Sequence, residues 1–111
     1  MGYMDYMERL RRLAIHDASL ADEHLQLTGS GSAQLDLKSV ALVRLAALVA
    51  VGGTAASYGA YADAAVGAGA TADEIVDVLF GVLPALGLPR VVAAAPELAL
   101  ALGYDVHGDV P

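Results

Sequence analysis

Apolar residues along this chain recur at helical spacing, and polar residues gather at the positions where helices start and stop. Tyr6, Leu10 and Leu13 share one face of a first segment, with Glu8, Arg9, Arg11 and Arg12 mostly on the other; the spacing predicts an amphipathic helix over 3–14. His16 and Asp17 interrupt it. Asp17 is placed to cap a second short helix reaching to about 27, with Leu20, Leu25 and Leu27 inward and Asp22 and Glu23 near its positive end. Thr28-Gly29-Ser30-Gly31-Ser32 reads as a flexible loop. It resembles no phosphate-binding loop, since no Gly-Lys-Ser/Thr follows it.

The next stretch is apolar almost all round. Asp36 is the predicted N-cap of a third helix running to about 51, in which Leu42, Leu45, Ala46, Val49 and Ala50 keep helical spacing and Gly52-Gly53 ends the pattern. Such a helix is buried in a core or against another subunit. Thr54 can cap a fourth helix over 55–68, with Tyr58, Tyr61 and Ala65 on one stripe. Thr71-Ala72-Asp73-Glu74 fits a capping box, in which the Thr71 hydroxyl and the Glu74 carboxylate each satisfy a backbone N–H at the helix start. The fifth helix should carry Ile75, Val78, Leu79 and Val82 inward and fade over 84–87. Leu88-Pro89 restarts the helix with proline in its first turn, where the missing N–H is harmless. Pro96 predicts either a kink or a separate short helix over 96–102, closed by Gly103, with 104–111 as a tail.

The pattern therefore makes an all-α chain, and the composition agrees with it. Of 111 residues 57% are apolar and only 5% aromatic, and the apolar content is mostly Ala, Leu and Val, of which Ala and Leu are strong helix formers. This length is one domain, with a core expected over 35–103 and N-terminal helices over 3–27; it is near the size at which burying most of its apolar surface alone is hard. A self-associated state is expected. A net charge of −7 repels phosphate backbones and anionic membrane surfaces, which argues against nucleic-acid and membrane partners. The apolar runs over 40–51 and 78–88 are too short to span a bilayer, and the N-terminus lacks the continuous apolar core of a signal peptide, so a cytoplasmic location is expected.

Candidate chemistry is sparse. The chain has no cysteine, which excludes disulfides, thiolate metal sites and thiol redox chemistry. His16, His24 and His107 are far apart and lack ligand spacing, so no metal and no cofactor is expected. Thr54, Ser57, Tyr58 and Tyr61 are polar groups on a segment otherwise rich in Ala and Gly. They fit ordinary packing, with Thr54 capping, Ser57 bonding back to its helix and the tyrosines satisfied locally; they equally fit a small apolar site with a few convergent hydroxyls. Arg44, the cation within the apolar third helix, needs a carboxylate, a ligand or an escape to solvent. Arg90, just past Pro89, is either a structural ion-pair partner or an anchor for an anionic ligand. Asp63 reads as solvent-facing. No Ser-His-Asp order, carboxylate pair or nucleotide-binding glycine pattern is present.

The order of elements resembles a known family. Leu35-Asp36-Leu37-Lys38, the apolar helix from Val40, the short break, the run from Ala64 through Gly69-Ala70-Thr71-Ala72-Asp73-Glu74-Ile75, and Gly87-Leu88-Pro89-Arg90 resemble the carboxymuconolactone decarboxylase family, which includes the AhpD alkylhydroperoxidases. The resemblance covers about half of the chain and implies an all-helical, AhpD-like subunit built on an antiparallel helix pair. It also implies assembly into trimers or hexamers, with sites near subunit contacts. In the redox branch of that family two cysteines three apart are followed four residues later by a histidine. Counted back from Gly69, these positions fall here on Thr54, Ser57 and Tyr61, so the peroxidase chemistry does not carry over. The decarboxylase branch relies on a histidine at the Tyr61 position as acid and base. A tyrosine there can donate a proton, but with an ordinary pKa near about 10 it is a poor base at neutral pH unless a cation lowers it.

Two functions are compatible with these residues. One is a cofactor-independent enzyme or binder for a small lactone or carboxylic acid, with Tyr61 as acid, Ser57 and Tyr58 as hydrogen-bonding groups, Thr54 beside them, and Arg44 or Arg90 as anion anchor. The other is a non-catalytic oligomeric binding or scaffold protein that kept the fold and lost the site.

Overall fold

Helix starts in this chain are set by side-chain caps at the expected places. The computed structural model describes residues 5–15 and 35–106, and the helices among them are α1 (Tyr6–Ala14), α2 (Leu37–Val51), α3 (Ala55–Gly67), α4 (Ala72–Leu86) and α5 (Leu88–Ala101). Asp36 caps α2 by accepting from the Ser39 N–H, and Thr54 caps α3 by accepting from the Ser57 N–H. At α4 the capping box is complete: Thr71 Oγ1 accepts from the Glu74 N–H at 3.1 Å, and Glu74 Oε1 accepts from the Thr71 N–H at 2.9 Å. Two orphan donors at that helix start are thereby satisfied.

Helix ends follow from glycine. The backbone of Gly69 (φ +101°) reverses after α3 while the Ala70 N–H bonds the Ala65 carbonyl, the six-to-one closure of a Schellman motif. Gly103 closes α5 in the same way, with the Tyr104 N–H on the Ala99 carbonyl.

Helices α2 to α5 all pack on one another. The three-residue link between α2 and α3 joins helices that lie against each other, which requires α3 to run back along α2. Each helix contributes one narrow stripe to the core: Ala41, Leu45 and Val49 from α2, Tyr58, Ala62 and Ala65 from α3, Ile75 and Leu79 from α4, and Ala94 and Leu98 from α5. Among the described residues alanine makes up five of the eleven that are buried, so the backbones can approach closely, and substitution by larger residues there would overpack the core.

Several sequence expectations need correction. The first helix begins at Tyr6 rather than at residue 3, because Asp5 takes the capping position and accepts from the Glu8 N–H. Its apolar face is not buried: Tyr6, Leu10 and Leu13 are all exposed, and among the described helices α1 packs on none. The inward stripe of α3 is centred on Ala62, not Tyr61, which is only half-buried at its edge. Helix α4 runs through Pro84 and ends at Leu86, within the 84–87 stretch where the pattern predicts it to fade. The carbonyl that Pro84 leaves without an i+4 donor is that of Phe80, an exposed residue that water can reach. Likewise Pro96 starts no separate helix; α5 runs through it from Leu88 to Ala101. Val78 and Val82 lie at the core's edge, half-buried. The helix expected over 17–27 falls outside the described residues.

Candidate functional site

Two glycines after α2 set the geometry of the candidate site. Gly52 has φ +84° and ψ 158°, a conformation essentially reserved for glycine, and its N–H still bonds the Leu48 carbonyl at 2.7 Å. The Arg90 guanidinium lies against it: a Cβ on Gly52 would stand 3.2 Å from Arg90 Nη1. The α2 C-terminus carries partial negative charge, so a guanidinium is well placed there. Arg90 is itself exposed, near the start of α5 behind Pro89.

Tyr58, one turn into α3, is 3% exposed. Burial pushes its phenol above the ordinary tyrosine value; the Arg90 charge opposes this and the Glu97 charge adds to it. The hydroxyl therefore stays protonated at neutral pH and can donate a hydrogen bond but not serve as a base. At the mouth of the same helix Thr54 Oγ1 and Ser57 Oγ lie 3.2 Å apart, while Thr54 Oγ1 also accepts from the Ser57 N–H at 3.1 Å. Ser57 is thus tied to the cap.

The structure therefore brings together four of the six sequence-predicted residues. Thr54, Ser57 and Tyr58 share the first turns of α3, and Arg90 joins them by lying on Gly52 and acting on Tyr58. Tyr61 sits one turn further along α3, half-buried and packed against the core. Arg44 is half-buried on α2, next to the buried Leu45, and is not among the charges that act on Tyr58. Among the described residues no group of His, Asp and Glu is arranged to hold a metal.

Sequence reasoning missed Glu97 and the role of Gly52. The signal for Glu97 was available: Arg90, Ala94 and Glu97 stand at i, i+4 and i+7 on one helix, a spacing that puts two opposite charges on the face that carries the buried Ala94. Gly52 was legible as a break but not as the space an arginine occupies, because its partner lies on a distant helix.

The model of the carboxymuconolactone decarboxylase family matches residues 18–99, well over half of the chain. The chain belongs to the carboxymuconolactone decarboxylase family. No curated protein and no solved structure matches it. Membership agrees with the all-helical architecture of the described residues and with the Gly-Ala-Thr junction that opens α4. As a member of this family the chain carries Thr54, Ser57 and Tyr61 where the resemblance set two cysteines and a histidine. Among the described helices none is long and apolar enough to cross a membrane.

Proposed function

We propose that this protein binds, and as a cofactor-independent enzyme acts on, a small carboxylic acid or lactone at the start of α3, as a self-associated assembly in the cytoplasm. The observation that carries this reading is the convergence of Arg90 and a buried, protonated Tyr58 next to the Thr54 and Ser57 hydroxyls. A guanidinium and a neutral phenol are complementary to a carboxylate or an ester carbonyl. Tyr61, one turn away, is the group we assign as proton donor. A phenol hydroxyl can hand its proton to a developing carbanion or alkoxide. Thiol-dependent peroxide reduction is excluded by the lack of cysteine.

The test is ligand-dependent stabilisation across a panel of small carboxylic acids and lactones, followed by product analysis for any that bind. A stabilising ligand whose effect is lost in Arg90→Ala and retained in Arg44→Ala supports the assignment. The absence of any such ligand overturns it. A second reading has its own support. The Thr54–Ser57 pairing and the packing of Tyr61 against the core are what a retained scaffold with no chemistry would show, and that reading predicts binding without turnover or no binding at all.

Self-association is proposed on separate grounds. Helix α2 buries one stripe, yet Val43 and Val51 on its other side are 57% and 76% exposed; isolated soluble subunits avoid contiguous apolar surface of this kind. The family resemblance favours three or six copies over two.

A further inference from the structure

Glu97 is the charged group at the start of α3 to which the proposed site gives no task. On α5 Arg90, Ala94 and Glu97 follow one another at i, i+4 and i+7, so the two charged side chains leave the helix on nearly the same bearing, two turns and about 10 Å apart. Ala94 between them is buried, Glu97 is half-buried and Arg90 is exposed, which makes this flank the edge at which α5 meets the helix cluster. Arg90 fixes the place, since its guanidinium lies on Gly52 in the link that leads into α3. Tyr58, one turn into α3, is within reach of both charges.

None of these three groups is satisfied by the protein. Among the described residues Arg90 and Glu97 have no ion-pair partner, and the Tyr58 hydroxyl makes no hydrogen bond. The Tyr58 side chain is 3% exposed, yet no buried side-chain oxygen among the described residues is left without a partner, so this hydroxyl reaches the surface. A positive pole, a neutral donor and a negative pole are thus gathered with their hydrogen-bonding capacity unused.

We propose that the site at the start of α3 takes a carboxylic acid that carries a protonated amine several bonds away, its carboxylate on Arg90 and the Tyr58 hydroxyl and its ammonium on Glu97. This inference rests on the small-acid reading above and names the kind of acid. A plain acid leaves the Glu97 carboxylate unpaired, and a diacid sets a like charge against it, so both are disfavoured. An α-amino acid carries its charges on neighbouring atoms and cannot span the two poles.

The probes are γ-aminobutyrate and ε-aminocaproate, with butyrate and caproate as plain counterparts and glutarate and adipate as diacids, titrated calorimetrically at neutral pH into wild type, Glu97→Gln and Glu97→Lys. In the wild type an ω-amino acid should bind several-fold tighter than its plain counterpart, with the diacids weakest. Glu97→Gln should remove that preference and Glu97→Lys should turn it toward the diacids. The readout is the ratio of affinities within one variant, which partial loss of folded protein leaves unchanged. An ω-amino acid that binds no better than its plain counterpart, or a preference that survives in both variants, overturns the inference. The small-acid reading still stands in that case if binding of the plain acid depends on Arg90. If no probe binds, the inference falls, and the small-acid reading falls with it when lactones also fail to stabilise the protein.

Discussion

Lys38 Nζ donates to Glu74 Oε2 at 3.0 Å, across 36 residues of sequence, and so ties the first turn of α2 to the capping box of α4. The same carboxylate uses Oε1 to accept from the Thr71 N–H. One side chain therefore closes a local motif and a tertiary contact together, and brings the starts of α2 and α4 to the same end of the helix cluster.

The first prediction concerns acid. Glu74 is held below the ordinary carboxylate value by the Thr71 backbone N–H first and by Lys38 second. A carboxyl whose folded pKa is depressed contributes stability above its unfolded pKa, and that contribution is lost as pH falls through the folded value. Glu74→Gln should therefore lower the melting temperature at neutral pH, with the gap to wild type closing as pH falls below the usual carboxylate range. A gap that stays constant with pH would show that the charge contributes nothing. The pair is half-exposed, so its effect should also shrink with added salt.

The second prediction isolates the cap. Thr71→Ala should cost about 1 kcal/mol in denaturant unfolding. Because Thr71 and Glu74 serve one box, the Thr71→Ala/Glu74→Ala double variant should cost less than the two singles added together. Strict additivity would mean that the two hydrogen bonds act independently.

A third prediction contrasts two glycines. Gly52→Ala forces a side chain into φ +84° and to 3.2 Å from Arg90 Nη1, and should cost about 1–3 kcal/mol for the backbone strain while displacing the arginine. Gly59 lies inside α3 with open space where a Cβ would go, so Gly59→Ala should stabilise by about 0.5–1 kcal/mol. Equal effects of the two would mean that the Gly52 backbone relaxes freely. A ligand that depends on Arg90 should be weakened by Gly52→Ala and not by Gly59→Ala.

What the sequence revealed was local. Asp36, Thr54 and the Thr71–Glu74 box mark helix starts because a cap joins residues three apart, and the family phrase around Gly69-Ala70-Thr71 is one of those local signals. Tertiary packing decided the rest. Periodicity could not separate Tyr61 from Ala62, neighbours on the same arc of α3, because the choice between them depends on where α2 and α5 lie. Pro96 reads as a kink or a fresh helix start by its own chemistry, yet the hydrogen bond it removes has its acceptor on an exposed residue, Val92, so the helix continues. The Lys38–Glu74 and Arg90–Tyr58 relationships join distant parts of the chain, and a single sequence gives no period in which to read them.

The fourth prediction concerns alkali. Burial raises the Tyr58 pKa, and a group whose folded pKa is raised contributes stability below its unfolded value that is lost as pH rises through the folded one. In a phenolate absorbance titration of the folded protein Tyr58 should ionise above the ordinary tyrosine range. Wild-type stability should fall more steeply than that of Tyr58→Phe once pH exceeds about 10, the reference value for tyrosine. A Tyr58 that ionises within the ordinary tyrosine range would show that burial does not govern this phenol.

The fifth prediction separates the subunit core from the contact between subunits, two roles that a helix apolar on every side confounds in sequence. Leu45 and Val49 are wholly buried within the subunit, so an aspartate at either site places a charge in the core and should unfold the chain; such a variant says nothing about assembly. Val43, Ala47 and Val51 occupy the opposite, exposed stripe of α2. Asp at Val43 or Val51 should leave the helical circular dichroism signal intact and shift sedimentation from the assembly to the 11.3 kDa subunit. The same charge at Ala72, in the exposed first turn of α4, should change neither. If Val43→Asp and Val51→Asp both sediment like wild type, the α2 stripe is not where subunits meet. If the wild type itself sediments at 11.3 kDa at micromolar concentration, the exposed valines are not an interface at all, and the site at the start of α3 must bind its ligand with walls supplied by one chain.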